Sequence, residues 1–201
     1  MENSMSYAII GLGSIGTAIA QAFADQGIKV AVAGRRPVDA LAARIGPSVV
    51  PQRIEDAIEA DVVILAVPFG AHEDVARVAK SWQGKIVIDA MNAYGVPVKE
   101  LDGLPSSAAV AKAFPGATLV KAFNHLPAAT LAQGPTPPHG GRRVVFLSSN
   151  DDAASATVSA LVDRLGFAPV ELGKIGEGGL LVQARGDTWA QLIFQDLVKF
   201  D

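Results

Sequence analysis

The residues Tyr-Ala-Ile-Ile-Gly-Leu-Gly-Ser-Ile-Gly at positions 7–16 decide the fold class of this chain. A short apolar run leads directly into a Gly-x-Gly-x-x-Gly sequence, and apolar residues at helical spacing follow the last glycine. A glycine fingerprint between a strand and a helix is typical of domains that bind a dinucleotide. We expect Gly11 to allow the tight turn, Gly13 to let the backbone approach a pyrophosphate, and Gly16 to let the helix pack on the strand. The alternative is a glycine-rich turn that binds nothing.

Strands and helices alternate along the rest of the chain, and most predicted strands are almost continuously apolar. The predicted strands occupy residues 7–10, 30–33, 49–50, 61–67, 85–90, 118–123, 144–147 and 168–172. Further predicted helices occupy residues 39–45, 54–59, 72–82, 151–165 and most of 178–200, with a break at Gly186-Asp187. This alternation predicts a doubly wound α/β fold, with a mainly parallel Rossmann sheet and helices on both faces. Residues 5–172 would form that domain, and residues 173–201 a small C-terminal helical segment packed on it.

The composition of the chain excludes several classes of protein and site. The 201 residues carry a net charge of −3, which gives no reason to expect nucleic acid as a partner. The absence of cysteine excludes disulfides and thiolate metal ligands, and the three histidines are too far apart in the sequence for a zinc site. No apolar run approaches the ~18–20 residues of a membrane span, so we expect no membrane partner. Residues 1–4 resemble a loose leader rather than a signal peptide, and we expect a cytoplasmic location.

The end of the second predicted strand indicates which dinucleotide is bound. An NAD-specific site places an acidic residue there to hold the ribose 2′-hydroxyl. This chain has Gly34-Arg35-Arg36 instead, and no acid stands between Lys29 and Val38. Guanidinium groups bind a 2′-phosphate with charge-assisted hydrogen bonds, so the sequence predicts NADP, although the two arginines could also be solvated surface charges.

The sequence lacks the groups that many dehydrogenases use to activate an alcohol or carbonyl. It has no Tyr-x-x-x-Lys pair, and no Gly-x-Ser-x-Gly or Walker A sequence. Hydride transfer between two cofactor rings needs no strong acid or base, because the cofactors carry the chemistry and the protein holds them face to face. A flavin or deazaflavin acceptor would therefore suit this chain.

The chain resembles the F420-dependent NADP oxidoreductases over almost its whole length. The stretches that carry the resemblance are residues 11–16, 34–36, 61–68, 87–92, 120–124 and 165–167. The resemblance implies a Rossmann domain with a small C-terminal part, a homodimer, NADP at the glycine turn, and a deazaflavin stacked on the nicotinamide. Two departures from the family stand out: Asp39 replaces a phosphate-binding lysine, and Asn124-His125 replaces a His-Thr pair.

The resemblance and the residue patterns together predict the cofactor site. Leu12 to Ile15 would meet the pyrophosphate, Gly34 and Arg35 the 2′-phosphate, and the later residues the nicotinamide and its ribose. The predicted cofactor-binding residues are Gly11, Leu12, Gly13, Ser14, Ile15, Gly16, Gly34, Arg35, Arg36, Val67, Pro68, Ala90, Asn92 and Ala128.

The predicted acceptor site lies where the sixth strand ends. Asn124 and His125 follow that strand at the sheet edge where α/β proteins bind ligands, and we predict that they are catalytic. Asn124 could instead only cap the loop, and His125 could bond only a backbone carbonyl. Asp89 is expected to cap the N–H groups of its own turn. The predicted substrate-binding residues are Leu126, Gly178, Gly179 and Leu180, with the glycines leaving room for a ring.

The leading hypothesis is an oxidoreductase that transfers hydride between NADP(H) and a small-molecule or cofactor acceptor, namely F420 or FMN/FAD. One alternative is a reductase of a small imine or carbonyl, similar to the pyrroline-5-carboxylate reductases. That family has a long C-terminal helical domain, whereas this chain has only about thirty residues after the last predicted strand. Another alternative is a non-catalytic NADP-binding redox sensor, which would need no second polar cluster at Asn124-His125. Related ferric-reductase domains of animal membrane proteins use flavin.

Overall fold

A computed structural model of the chain describes residues 5–183 and 198–199. The strands are Tyr7–Ile10 (β1), Val30–Ala33 (β2), Val49–Pro51 (β3), Val62–Leu65 (β4), Ile86–Asp89 (β5), Thr118–Ala122 (β6), Arg142–Ser149 (β7), Ala168–Glu171 (β8) and Val198–Lys199 (β9). The α-helices are Ser14–Asp25 (α1), Asp39–Ile45 (α2), Ile54–Ala57 (α3), His72–Ala76 (α4), Ser106–Ala113 (α5), Ala128–Leu131 (α6) and Asp152–Arg164 (α7). Short 3₁₀ turns cover Phe69–Ala71, Val98–Leu101 and Gly178–Val182.

The strands form one sheet in the order β3-β2-β1-β4-β5-β6-β7-β8, with β9 paired to β7. The first six strands in the chain are mutually parallel, whereas β7 runs antiparallel to β6, and β8 is parallel to β7. The strand order reverses at β1, which lies between β2 and β4. Ligands of open α/β sheets bind at the carboxyl ends of the strands beside such a reversal. The predicted doubly wound Rossmann fold is therefore confirmed.

Two hydrophobic layers cover the sheet, one on each face. One layer packs α1 and α7 on alternate strand residues such as Ile9, and it contains Phe23 and Phe167. The other layer is centred on Ile10 and its neighbours, and it contains Trp82 packed edge-on against Phe114 at 4.7 Å. Strands buried on both faces explain why their sequences read as continuous apolar runs.

The structure describes only the two ends of the predicted helical tail, and the second of these ends is not helical. Gly178–Val182 form only a 3₁₀ turn, and Val198–Lys199 form a strand against Arg142 and Arg143. This pairing is available because β6 pairs with residues 147–149 of β7 and β8 with residues 144–147, which leaves Arg142 and Arg143 outside both pairings. The predicted break at Gly186-Asp187 lies outside the described residues.

Other differences from the predicted helices have local causes. The helix predicted for residues 72–82 ends at Ala76, whose carbonyl oxygen accepts a hydrogen bond from the Trp82 indole at 2.9 Å. The helix predicted for residues 54–59 ends at Ala57. The sequence analysis missed α5 and α6, each of which begins directly after a proline, a common signal at a helix start.

Candidate functional site: the cofactor cleft and the adjoining sheet edge

The three glycines of the fingerprint have different structural roles. Gly11 has φ +99°, and a Cβ there would lie 2.5 Å from the Ala66 carbonyl oxygen. A Cβ at Gly16 would collide with the Gly11 carbonyl oxygen. A Cβ at Gly13 would have no atom of the described residues within 4 Å apart from its own neighbours along the chain. Packing within the protein therefore requires glycine at positions 11 and 16 and not at position 13.

The first turn of α1 is open to an anion. Gly13 is the N-cap and supplies no side-chain cap, and no acidic residue stands in the first turn, where Ser14, Ile15 and Gly16 lie. The first N–H groups of a helix have no partner within the helix, and they carry the positive end of its dipole. A phosphate at this point would find donors and a favourable field with no competing carboxylate.

A cleft of about 630 Å³ runs from the glycine turn to the end of β2. Of the predicted cofactor residues, it is lined by Gly11, Leu12, Gly13, Gly34, Arg35, Arg36, Val67 and Pro68. Its remaining walls are largely apolar and come from α2, α3 and the segment around α4. Sequence reasoning missed the apolar wall residues, namely Leu41, Ile54, Val75 and Val78. Their spacing does not distinguish a ligand-facing side chain from a core side chain.

The two arginines line this cleft where the chain leaves β2. Arg35 and Arg36 are exposed, and neither makes an ion pair with a residue in the described ranges. Asp74 also lines the cleft, but Arg77 holds its carboxylate at 2.7 Å. The cleft therefore combines an open helix N-terminus with two guanidinium groups that have no ion-pair partner in the part of the chain that the structure describes.

The chain makes an unusual corner at the carboxyl end of β6. Phe123 adopts φ +63°, a left-handed conformation that is rare for a bulky residue. Its ring is fully buried and packs edge-on against Phe167 at 6.2 Å. Strained backbone of this kind often accompanies functional sites, and here it directly precedes Asn124.

Asn124 is joined to Asn92 by two hydrogen bonds between neighbouring strand ends. The Asn92 side-chain amide donates to the Asn124 carbonyl oxygen at 2.7 Å, and the Asn124 amide donates to the Asn92 side-chain oxygen at 3.1 Å. The same Asn124 amide donates to the Val182 carbonyl oxygen at 2.9 Å. The Asn124 side-chain oxygen is buried and has no partner among the described residues. Asn124 is therefore oriented from two sides and keeps one free acceptor.

A buried ion pair lies beneath this asparagine pair. Asp89 and Lys121 are opposite each other in the β5–β6 register, and their side chains are 0% and 3% exposed. The Lys121 ammonium lies 3.0 Å from the Asp89 carboxylate and donates to the Met91 carbonyl oxygen at 2.7 Å. Asp89 also accepts from the Met91 N–H, which confirms the predicted capping role. The sequence analysis did not identify Lys121 as its partner.

His125 is enclosed rather than open to the cleft. Its ring packs on Phe146 at 4.9 Å, and its Nε2 donates to the Val144 carbonyl oxygen at 3.0 Å. Burial lowers the pKa of His125 to about 4, so the ring is neutral near pH ~7. The sequence analysis gave a hydrogen bond to a backbone carbonyl as the alternative role of His125, and this is the contact observed. A role of His125 toward an acceptor stays a prediction.

Acid should destabilise the protein through His125. The unfolded chain binds this proton near pH 6.5 and the folded protein near pH 4, so the free energy of unfolding falls as the pH drops between these values. The full effect is about 3 kcal/mol. Thermal unfolding near pH ~7 and ~4.5 would measure it in the wild type and in His125→Gln, which keeps a donor for Val144. The acid-induced loss should be smaller in the variant, and equal losses would contradict the assignment to His125.

The residues predicted to bind substrate are mostly committed to packing. Leu126 is buried in the core layer that contains α1. Ala128, which was predicted to bind the cofactor, begins α6 beside that helix. A Cβ at Gly178 would collide with the Leu172 carbonyl oxygen, and one at Gly179 would lie 2.6 Å from the Ser148 hydroxyl. Close packing thus accounts for both glycines, and their contact with a substrate ring stays a prediction. Leu180 is half-buried in the same 3₁₀ turn.

Comparison with known proteins gives the family of the chain. Residues 6–93 match the family described as NADP oxidoreductase, coenzyme F420-dependent. A crystal structure of a hypothetical protein from Sinorhizobium meliloti is 39% identical, with a TM-score of 0.89, and the match covers 100% of this chain and 98% of that one. A proposed F420-dependent NADP reductase from an Arthrobacter species is 28% identical, with a TM-score of 0.69 and 86% of each chain covered.

Residues 6–93 of this chain thus belong to the F420-dependent NADP oxidoreductase family. The matching family model describes NADP oxidoreductases. The chain is also 30% identical over 170 residues to metalloreductase STEAP3 of Rattus norvegicus, covering 83% of this chain. It spans about one third of the length of the curated relatives it matches.

The structure separates the predicted site into two parts. The cleft gathers the glycine turn, the end of β2 and the end of β4, whereas Ala90, Asn92 and Asn124 lie at the adjoining edge and do not line it.

Within residues 5–183 and 198–199, no helix is long and apolar enough to cross a membrane.

Proposed function

We propose that this oxidoreductase transfers hydride between NADP(H) and a flavin or deazaflavin acceptor, with NADP in the cleft that starts at Gly13. The observation that carries the proposal is the open space at Gly13. No protein atom lies within 4 Å of its absent side chain, so a bound ligand is the simplest reason to exclude one. The open first turn of α1 provides N–H groups for a pyrophosphate at that position.

The free arginines favour NADP over NAD. Both guanidinium groups line the cleft, and the one carboxylate that lines it, Asp74, is already paired with Arg77. Among the described residues that line the cleft, none carries an unpaired carboxylate, and two cations are available to bind a 2′-phosphate.

Arg35→Ala should narrow the preference for NADPH over NADH. We expect NADPH binding to weaken by about 1–3 kcal/mol while NADH binding barely changes, because only NADPH carries the phosphate. Isothermal titration of both nucleotides would measure the difference. Arg44→Ala is the matched control, since Arg44 is an exposed cation on α2 that does not line the cleft. Equal affinities of the wild type for the two nucleotides would refute the NADP assignment.

The edge beside the cleft supports an acceptor that needs no acid from the protein. NADPH, when bound, supplies a hydride, and a flavin or deazaflavin ring takes it up together with a proton from solvent. His125 is neutral and its N–H group is used by Val144. The Lys121 ammonium is used by Asp89 and Met91. Asn92 and Asn124 provide fixed amides, which can orient two rings without donating a proton.

A panel of acceptors tests this assignment. NADPH oxidation would be followed with F420, FMN, FAD, a cyclic imine, and a ferric chelate with and without added flavin. Rapid reduction of F420 or a flavin supports the proposal, as does ferric reduction that requires added flavin. Reduction of the imine alone, or of the ferric chelate without flavin, would replace the proposed acceptor and leave the nucleotide site intact. The homodimer and the cytoplasmic location stay predictions.

A further inference from the structure

We infer that Lys121 is a positioning residue for the hydride-transfer site, because its ammonium group holds the turn that presents Asn92 to Asn124. This inference rests on the proposed function. It goes beyond that function because it assigns a role to a buried charge that touches neither the cleft nor an exposed surface.

The first step is that Lys121 fixes the turn after β5 by a hydrogen bond. Its ammonium donates to the Met91 carbonyl oxygen at 2.7 Å, one residue before Asn92. Asp89 keeps the ammonium in place at 3.0 Å, and Ser107 at the start of α5 donates to the same carboxylate at 2.6 Å. Asp89 also accepts from the Met91 N–H at 2.9 Å, so both backbone groups of Met91 are bonded to this charge pair.

The second step links this turn to the C-terminal strap, which we define as residues 178–183. Asn92 bonds Asn124, and the Asn124 amide donates to the carbonyl oxygen of Val182 in the strap. The next strap residue, Gln183, accepts from the Ser106 N–H at 2.8 Å. Because Ser106 adjoins Ser107, which bonds Asp89, the hydrogen bonds form a closed circuit around the sheet edge.

The third step concerns the reason for a charge at this place. A buried ion pair adds little to stability, and replacing one with apolar residues of similar volume is often neutral or favourable. Stability alone therefore gives no reason for Lys121 and Asp89. An ammonium with directed donors does fix a backbone carbonyl, and second-layer contacts of this kind keep a reactive site within the small tolerance that chemistry needs. Lys121 cannot touch a reactant itself, since it is 3% exposed.

The test removes the hydrogen bond from the Lys121 ammonium to the Met91 carbonyl oxygen and keeps the buried pair neutral overall. In the double variant Asp89→Asn/Lys121→Met, the amide oxygen can still accept from the Met91 N–H and the amide NH₂ can donate to the Ser107 hydroxyl, so the bonds that are lost are those of the ammonium to the Met91 carbonyl and to residue 89. The matched control is Lys85→Met. Lys85 lies just before β5 at the opposite edge of the sheet, where its ammonium donates to the Ala60 carbonyl oxygen at 3.2 Å.

Three measurements separate positioning from folding. The affinity for 2′,5′-ADP, which lacks nicotinamide, should stay within about twofold of the wild type. The fluorescence change of NADPH on binding, which reports the surroundings of the nicotinamide, should decrease. With the best acceptor of the panel, kcat should fall by about 10- to 100-fold, as expected for a misplacement on the scale of 1 Å. Lys85→Met should leave all three unchanged.

The outcomes are distinguishable. A double variant with wild-type NADPH fluorescence and wild-type kcat overturns the inference. A wild type that binds neither 2′,5′-ADP nor NADPH overturns the proposed function instead. If the double variant does not fold, Ser107→Ala decides, because it removes one bond to Asp89 and leaves both charges. It should change NADPH fluorescence and kcat in the same direction with normal 2′,5′-ADP binding, and the absence of any change would also overturn the inference.

Discussion

Gly13→Ala should abolish most NADPH binding and leave the fold intact. The new methyl group meets no protein atom within 4 Å, so neither α1 nor β1 has to move. It projects into the space where the pyrophosphate is proposed to lie, and a clash of one methyl group costs about 1–3 kcal/mol. This corresponds to roughly a 10- to 100-fold weaker affinity. Titration with NADPH, beside a thermal unfolding curve, would measure both effects.

Two other glycine-to-alanine variants serve as controls for Gly13→Ala. Gly176→Ala adds a methyl group to another exposed glycine that also has no atom within 4 Å, and it should bind NADPH normally. Gly16→Ala should do the opposite of Gly13→Ala, because its methyl group collides with the Gly11 carbonyl oxygen and destabilises the turn itself. Normal NADPH affinity in Gly13→Ala would mean that the pyrophosphate does not pass this residue.

Lys121→Met should destabilise the protein more than any surface substitution. It leaves the Asp89 carboxylate, which is 0% exposed, without its cation, and breaking a buried pair from one side costs about 3–5 kcal/mol. Adding Asp89→Asn should recover most of that loss, because the remaining polar group is neutral and still accepts hydrogen bonds. Urea unfolding of the two variants and the wild type would measure the free energies. Equal stability of the single and double variants would show that the carboxylate is not charged in the folded protein.

The fold was predictable because its signals are local. The glycine fingerprint, the apolar runs and the helical spacing each lie within a few neighbouring residues, and the structure places β1, α1 and β2 where they indicate. Gly11 and Gly16 were also assigned correctly, since a positive φ and close helix packing are properties of that turn alone. The strand at Val198–Lys199 was not predictable, because it depends on an open backbone edge more than fifty residues earlier in the chain.

The sequence predicted the candidate site only where the type and position of a single residue indicate its role. The position of Arg35 and Arg36 directly after β2 was enough to predict that they lie at the cofactor cleft, which they line. Asp89 could be recognised as a turn cap, but its partner Lys121 is 32 residues away and becomes adjacent only through the register of β5 and β6. The burial of His125 against Phe146 likewise depends on how β7 pairs, which no local pattern reveals.

The corner at Phe123 has a consequence for the laboratory evolution of this oxidoreductase. A left-handed conformation costs an L-residue about 1–2 kcal/mol, and the packing of Phe123 on Phe167 offsets that cost on the core side of the sheet. Substitutions at Phe167 would therefore shift Asn124 although they touch no ligand. A mutant library aimed at new acceptors should therefore keep both phenylalanines unchanged. Otherwise the effects of substitutions around Asn124 would depend on which residue stands at position 167, far away in the sequence.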